Sequence, residues 1–259
     1  MYSIDGVRLD NPSMGWALEG SSAPLSGHTV ERTSVRIPGL PGVLAGIDHP
    51  LEGLSAPTIS LVVETPREKY DALAALLLRG SKLSLSEAPG READYECMSV
   101  APNGILPGDK LLNATAVLRI PGVFWRDAAV STRSAQLSAQ TVTFDAWEGS
   151  GLIPDAIIRI RGAVANLRVQ SDYAYLQYPA INAGSFLRYE SATGRAFVTT
   201  SDTWTGGTEV AVDADGPGGK FGIFPTRLDV DESRARMTVT TTARSVALIE
   251  ARGRGAQLV

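Results

Sequence analysis

Asp155-Ala-Ile-Ile-Arg-Ile-Arg-Gly162, Val164-Ala-Asn-Leu-Arg-Val-Gln170 and Tyr173-Ala-Tyr-Leu-Gln-Tyr178 follow one another almost without interruption. Each carries apolar and polar residues in alternation, the two-residue period of a half-buried strand, and none has a helical period. The same reading gives strands at 139–146, 155–161, 164–170, 173–178, 185–189, 196–200, 207–212, 220–224, 227–230, 235–242 and 246–250. Turn signals such as Ala192-Thr-Gly194 and Gly206-Gly207 separate them. Short strands at such spacing predict an all-β sandwich over residues 131–259.

Upstream the pattern is β-rich with one helix. Ser3–Leu9 reads as strand, turn and strand, and Thr29–Ile37 as a long ribbon stopped by Pro38-Gly39. Thr58–Glu64 is apolar enough for a strand buried on both faces. Thr65 suits an N-cap, Pro66 the first helical position and Glu68 the third, completing a capping box. Tyr70, Leu73, Ala74 and Leu77 then share one face, and Gly80 suits a left-handed C-terminal stop. The spacing predicts a helix over 66–79 packed on a sheet. Strands are expected at 82–86, 95–100, 110–120 and 123–126. Residues 127–137 read as a linker or the exposed start of a strand. The expected architecture is mainly β in two domains. Residues 1–130 form a barrel- or sandwich-like domain with one helix, and 131–259 form the sandwich.

Composition narrows the function. The 259 residues hold 24 basic and 28 acidic side chains, a formal net charge of −4, one Cys and two His. The lone Cys97 excludes an internal disulfide framework and a Cys-based zinc site. The acidic balance argues against nucleic-acid binding as the main task. No run of about 18 apolar residues predicts a membrane helix, and no signal peptide is expected at the start.

Catalytic patterns are weak. His28 and His49 are the available imidazoles, and no Gly-x-Ser-x-Gly elbow accompanies them. Asp213-Ala-Asp215-Gly216 imitates the middle of a calcium loop. Ala211 and Gly222 stand where its end carboxylates belong, so an Asp-Gly turn is the better reading. Gly218-Gly219-Lys220 precedes Phe221 instead of Ser or Thr, so it is no P-loop. Asp229, Asp231 and Glu232 read as solvated carboxylates of a turn, and a glycosidase using Asp229 or Asp231 is the remote alternative. No catalytic residue, cofactor or metal ligand is therefore assigned. Tyr173 and Tyr175 share a strand face by the two-residue period, and Trp204 lies in a polar loop. These three rings are the candidate surface for sugar or a protein partner.

The chain resembles the distal tail proteins of long, flexible-tailed bacteriophages. The resemblance runs over nearly its whole length. It rests on Tyr2-Ser-Ile-Asp-Gly6 as an opening hairpin, Val35-Arg-Ile-Pro-Gly39-Leu-Pro-Gly42, the 66–79 helix, Ile120-Pro-Gly-Val-Phe-Trp125 and Asp155–Gly162. The resemblance implies a galectin-like C-terminal sandwich and a homo-oligomeric, six-fold ring at the tail tip of a virion assembled in the host cytoplasm. Such a ring joins the tail-tube protein to a hub or tail-fibre protein, and DNA passes through it unbound. The strands expected to pair between neighbours carry Thr29, Glu31, Thr33, Val35 and Ile37, and Lys110, Leu112 and Ala114. The alternative is a carbohydrate-binding tail module holding host-wall glycans through Tyr173, Tyr175 or Trp204.

Overall fold

The computed structural model describes residues 1–20, 22, 34–35, 44–45, 55–103, 108, 110–149, 151–224 and 234–257. The chain divides into two compact units, Met1–Ala128 and Ala129–Leu258.

The first unit opens with β1 (Tyr2–Ile4) and β2 (Val7–Arg8), joined by Asp5 and Gly6 at φ 47° and 81°. Positive φ at both turn residues matches the right-handed twist of the flanking strands. There follow β3 (Ala17–Leu18), β4 (Ser34–Val35) paired with β5 (Leu44–Ala45), and β6 (Thr58–Pro66). After them come α1 (Tyr70–Arg79), β7 (Lys82–Leu85), β8 (Arg91–Asp94), β9 (Glu96–Asn103), β10 (Leu111–Arg119) and β11 (Trp125–Asp127). Within this unit the strands are ordered β2-β1-β7-β8-β11 in one sheet and β3-β6-β10-β9 in another. Tyr2, Ile4 and Leu83 from the first, Ile59, Leu61 and Ala116 from the second, and Leu73 and Leu77 of α1 form one core. Each of those helix leucines is fully buried, which contributes about 1.5–3 kcal/mol.

The helix starts later than expected. Nine residue pairs join β6 to β10 as far as Pro66↔Leu111, so Thr65 is a buried strand residue and not a cap. Its hydroxyl donates to the Pro66 carbonyl at 3.2 Å, and a short 3-10 turn at Arg67–Lys69 leads into α1. The long ladder outweighs the local capping box. The β6 strand is also one-sided: Ile59, Leu61, Val63 and Thr65 are buried while Ser60, Val62 and Glu64 are half-buried.

Gly80 does not stop the helix in the left-handed region. It is extended, with φ −66° and ψ 158°. A side chain there would strike Ile4 and Tyr95, and would come within 2.8 Å of the Leu76 carbonyl. The Tyr95 hydroxyl, on the residue between β8 and β9, donates to the Leu77 carbonyl at 2.9 Å and closes the helix end.

The second unit holds β12 (Ser131–Gln136), β13 (Thr141–Glu148), β14 (Ile157–Ser171), β15 (Ala174–Ile181) and β16 (Phe186–Glu190). It continues with β17 (Arg195–Thr199), β18 (Thr208–Val210), β19 (Asp213–Asp215), β20 (Arg234–Thr240) and β21 (Ala243–Gly253). The expected strands 155–161 and 164–170 are therefore one 15-residue strand. It bends at Gly162, where φ is 110° and the register to β21 shifts between Arg161 and Ala163. A Cβ at Gly162 would sit 2.7 Å from the Val246 carbonyl oxygen, so the bend requires glycine. The first half of β14 belongs to a wing ordered β12-β21-β14-β16-β17-β18. The second half joins β15 and β19 on one side and β20 and β13 on the other. A long strand that serves two wings through a bulge is a recognised way to turn a sandwich corner.

Two expected elements change character. Residues 220–224 form no strand: Ile223 makes a single bridge to Ile153, although Phe221, Ile223 and Phe224 are fully buried. Asp213–Asp215, expected as part of a turn, is a short strand against Tyr175–Gln177. The expected strand at 227–230, and with it Asp229, Asp231 and Glu232, lies outside the described residues.

Candidate functional site

The edge expected at 110–114 is closed. Strand β10 pairs with β6 over Leu111–Arg119 and with β9 over Asn113–Arg119, so no backbone row is left for a neighbour. Leu112 and Ala114 lie inside the core, which corrects their expected place at an interface, while Lys110 is exposed. Thr29, Glu31, Thr33 and Ile37 lie outside the described residues. Val35 belongs to β4, paired with β5.

Among the described residues this sheet ends in two edges, the two-residue β3 and the eight-residue β9. Cys97 and Val100 are partly buried against the core, whereas Glu96, Met98, Ser99, Ala101, Pro102 and Asn103 are exposed. Met98, 56% exposed, sits where the register to β10 skips from Ser99 to Cys97. A bulge and a proline are edge features, because proline cannot donate to a ladder. Pro102 was the sequence signal for this edge. Burial pushes the Cys97 thiol above its ordinary range, which favours the protonated form that packs against the core.

The three aromatic candidates do not form one surface. Tyr173 precedes β15, is 41% exposed and meets Phe224 edge-on at 5.9 Å. Trp204 lies against the other wing, in the loop between β17 and β18, with its ring 4.3 Å from the guanidinium of Arg159. Tyr175 is occupied as well. Arg168 lies over its ring at 4.8 Å, and its hydroxyl donates to Asp213 at 3.3 Å. The negative charge of Asp213, ahead of desolvation and that hydrogen bond, pushes the Tyr175 hydroxyl above its ordinary range, so it stays a donor.

What Tyr175 braces is a groove of about 470 Å³ whose lining mixes polar side chains with Leu167, Pro179, Ala211 and Val212. Thr240 of β20 is paired with Arg168 of β14, Arg168 with Gln177 of β15, and Gln177 with Asp213 of β19. The four residues therefore form one row across four strands. Asn166 and Tyr178 complete the polar lining. Asn166 has a left-handed φ of 49°, and its amide donates to Thr242 at 2.8 Å. Among the described residues, no group of three or more His, Cys, Asp or Glu side chains is placed to hold a metal ion. No helix is long and apolar enough to cross a membrane.

No protein-family model matches the sequence, and no curated protein sequence matches it. Solved structures do. The crystal structure of the Dit protein of phage SPP1 superposes with a TM-score of 0.61 at 11% identity, covering 98% of both chains. The fold is that of SPP1 Dit. That protein is described as a paradigm of the hub adsorption apparatus in phages infecting Gram-positive bacteria. The Dit fold spans both units of the present chain, as the coverage requires. The baseplate of phage P2 in its activated conformation, solved with calcium and with strontium, matches at a TM-score of 0.33 and 10% identity. It covers 92% of this chain and 90% of that chain.

Proposed function

We propose that this chain is a structural protein of a phage tail tip, a ring-forming adaptor between the tail tube and the hub or fibre apparatus. The observation that carries the reading is the full-length match to the Dit fold. A supporting feature is the open, eight-residue β9 edge of the first unit. A free edge offers unpaired backbone to another chain, and on β9 the Met98 bulge and Pro102, both of which oppose pairing, confine that offer to Ser99–Ala101. The ring is a hexamer, with strand addition at β9 as the joint and the 29–37 segment as its candidate donor. The net charge of −4 per chain suits a channel through which DNA passes without counterion-driven adhesion. No catalytic role is proposed.

Electron microscopy of the purified 27.4 kDa chain, with solution mass on the same sample, tests the reading. Closed rings with a central hole and a mass of six chains are expected. A Thr33→Pro chain is expected to lose the rings while its second unit stays folded. A chain that stays monomeric even when co-expressed with its tube and hub neighbours overturns the proposal.

A further inference from the structure

We propose that the groove lined by Asn166, Arg168, Gln177, Tyr178, Asp213 and Thr240 is a binding site for a neutral saccharide. This goes beyond the ring reading, which makes no use of the second unit's outer surface. The volume of about 470 Å³ falls in the range of small-molecule sites, about 300–1,000 Å³. Its floor is the row Thr240–Arg168–Gln177–Asp213, laid across four strands and so spanning roughly 14 Å at the ordinary strand spacing.

The chemistry of the row selects the ligand. Arg168 only donates and the Asp213 carboxylate only accepts, whereas Thr240 and the amides of Gln177 and Asn166 do both. A sugar hydroxyl also does both, so a polyol can satisfy such a row from end to end. One positive and one negative side chain leave the lining neutral, which gives an anion no net attraction. Tyr178 and Pro179 add an apolar wall suited to the C–H face of a pyranose ring.

The polar groups are also held in place before any ligand arrives. Tyr175 supports Arg168 from beneath at 4.8 Å and fixes Asp213 through its hydroxyl at 3.3 Å. Pre-set donors and acceptors lower the ordering cost of binding.

The test uses the full chain on an array of neutral and charged glycans. It adds NMR titrations with D-glucose, D-galactose and N-acetyl-D-glucosamine, and with inorganic phosphate as the anionic competitor. Binding of at least one neutral saccharide is expected, weakened tenfold or more in Gln177→Ala and Asp213→Asn. Tyr175→Phe is expected to weaken it less, and Trp204→Phe, in the other wing, to leave it unchanged. Melting curves of the variants are recorded alongside. Gln177→Ala changes a half-buried surface residue, so it separates lost binding from lost folding. Three results overturn the proposal: no neutral saccharide retained, retention undiminished in Gln177→Ala, or displacement of the sugar by phosphate. The readout does not depend on ring formation, so this inference and the ring proposal stand or fall separately.

Discussion

The guanidinium of Arg159 stands over the ring of Trp204, 4.3 Å from its centroid, and Phe186 lies 5.1 Å from the same charge. Arg159 is only 5% exposed. It reaches Glu250 at 2.6 Å and Asp202, on the same loop as Trp204, at 2.7 Å. The tryptophan that reads in the sequence as an open platform is thus one arm of a clamp that ties the β17–β18 loop to the sheet.

Breaking the inner half of that clamp should be costly. Glu250→Gln leaves a buried guanidinium with only the exposed Asp202 as its charged partner, and a loss of about 3 kcal/mol is expected. Asp202→Asn, at a carboxylate 65% exposed, should cost no more than about 1 kcal/mol. Chemical denaturation of the two variants checks the order. Equal losses would show that Arg159 is not held as described.

Gly80 separates two physical accounts. A left-handed stop would accept asparagine readily, whereas an extended glycine crowded by Ile4 and Tyr95 would not. Gly80→Ala and Gly80→Asn should both destabilise the first unit by about 1–3 kcal/mol, the usual cost of overpacking. Tyr95→Phe removes one of the crowding atoms, so it should recover part of the Gly80→Ala loss in a double-mutant cycle. Thermal melts of the four chains measure this.

Charges on the β9 edge should block assembly and spare the fold. Met98 and Ala101 are exposed, so Met98→Lys with Ala101→Lys should change monomer stability by no more than about 0.5 kcal/mol per site. The same pair should abolish rings, because edge lysines oppose strand addition. Particle counts by electron microscopy provide the measure, and undiminished rings would move the joint away from β9.

Acid should weaken the second unit partly through Asp145. Its carboxylate takes a bidentate contact from Arg236, with Arg234 at 3.8 Å, and that hydrogen bonding first holds it below the usual carboxylate range. A carboxyl lowered on folding stabilises above its unfolded pKa of about 3.9, and the gain is lost as pH falls through the folded value. The site is partly exposed, so screening limits the effect to about 1 kcal/mol. Asp145→Asn should therefore cost about that much at pH 7, and the gap should narrow as pH falls below the unfolded value and through the folded one. Urea midpoints across this range show whether the gap closes.

Most strands and α1 were legible because alternation and the Leu73–Leu77 spacing are local properties, written into consecutive residues. The helix start was not. Thr65-Pro66-Arg67-Glu68 is a sound capping box read alone, but its partner Leu112 on β10 lies 47 residues on (112 − 65), and that ladder claims Thr65 first. The open edge was misplaced for a similar reason. The sequence marks 110–120 as a strand but carries no direct mark of how many neighbours that strand has. Pro102 gave the only local hint of the true edge.

The sandwich side of the site divides in the same way. Composition and alternation by themselves determined a mainly β chain with an acidic net charge and little catalytic equipment. The polar residues Arg168, Gln177 and Asp213 were visible, but nothing local joined them. Only tertiary structure decided that Trp204 would be spent on Arg159, that Tyr175 would brace and not bind, and that Thr240, Arg168, Gln177 and Asp213 would stand in one row. The physical reason is register. A strand's faces follow from its own two-residue period, whereas its neighbours follow from pairings across long separations, which a bulge or a bend such as that at Gly162 can redirect.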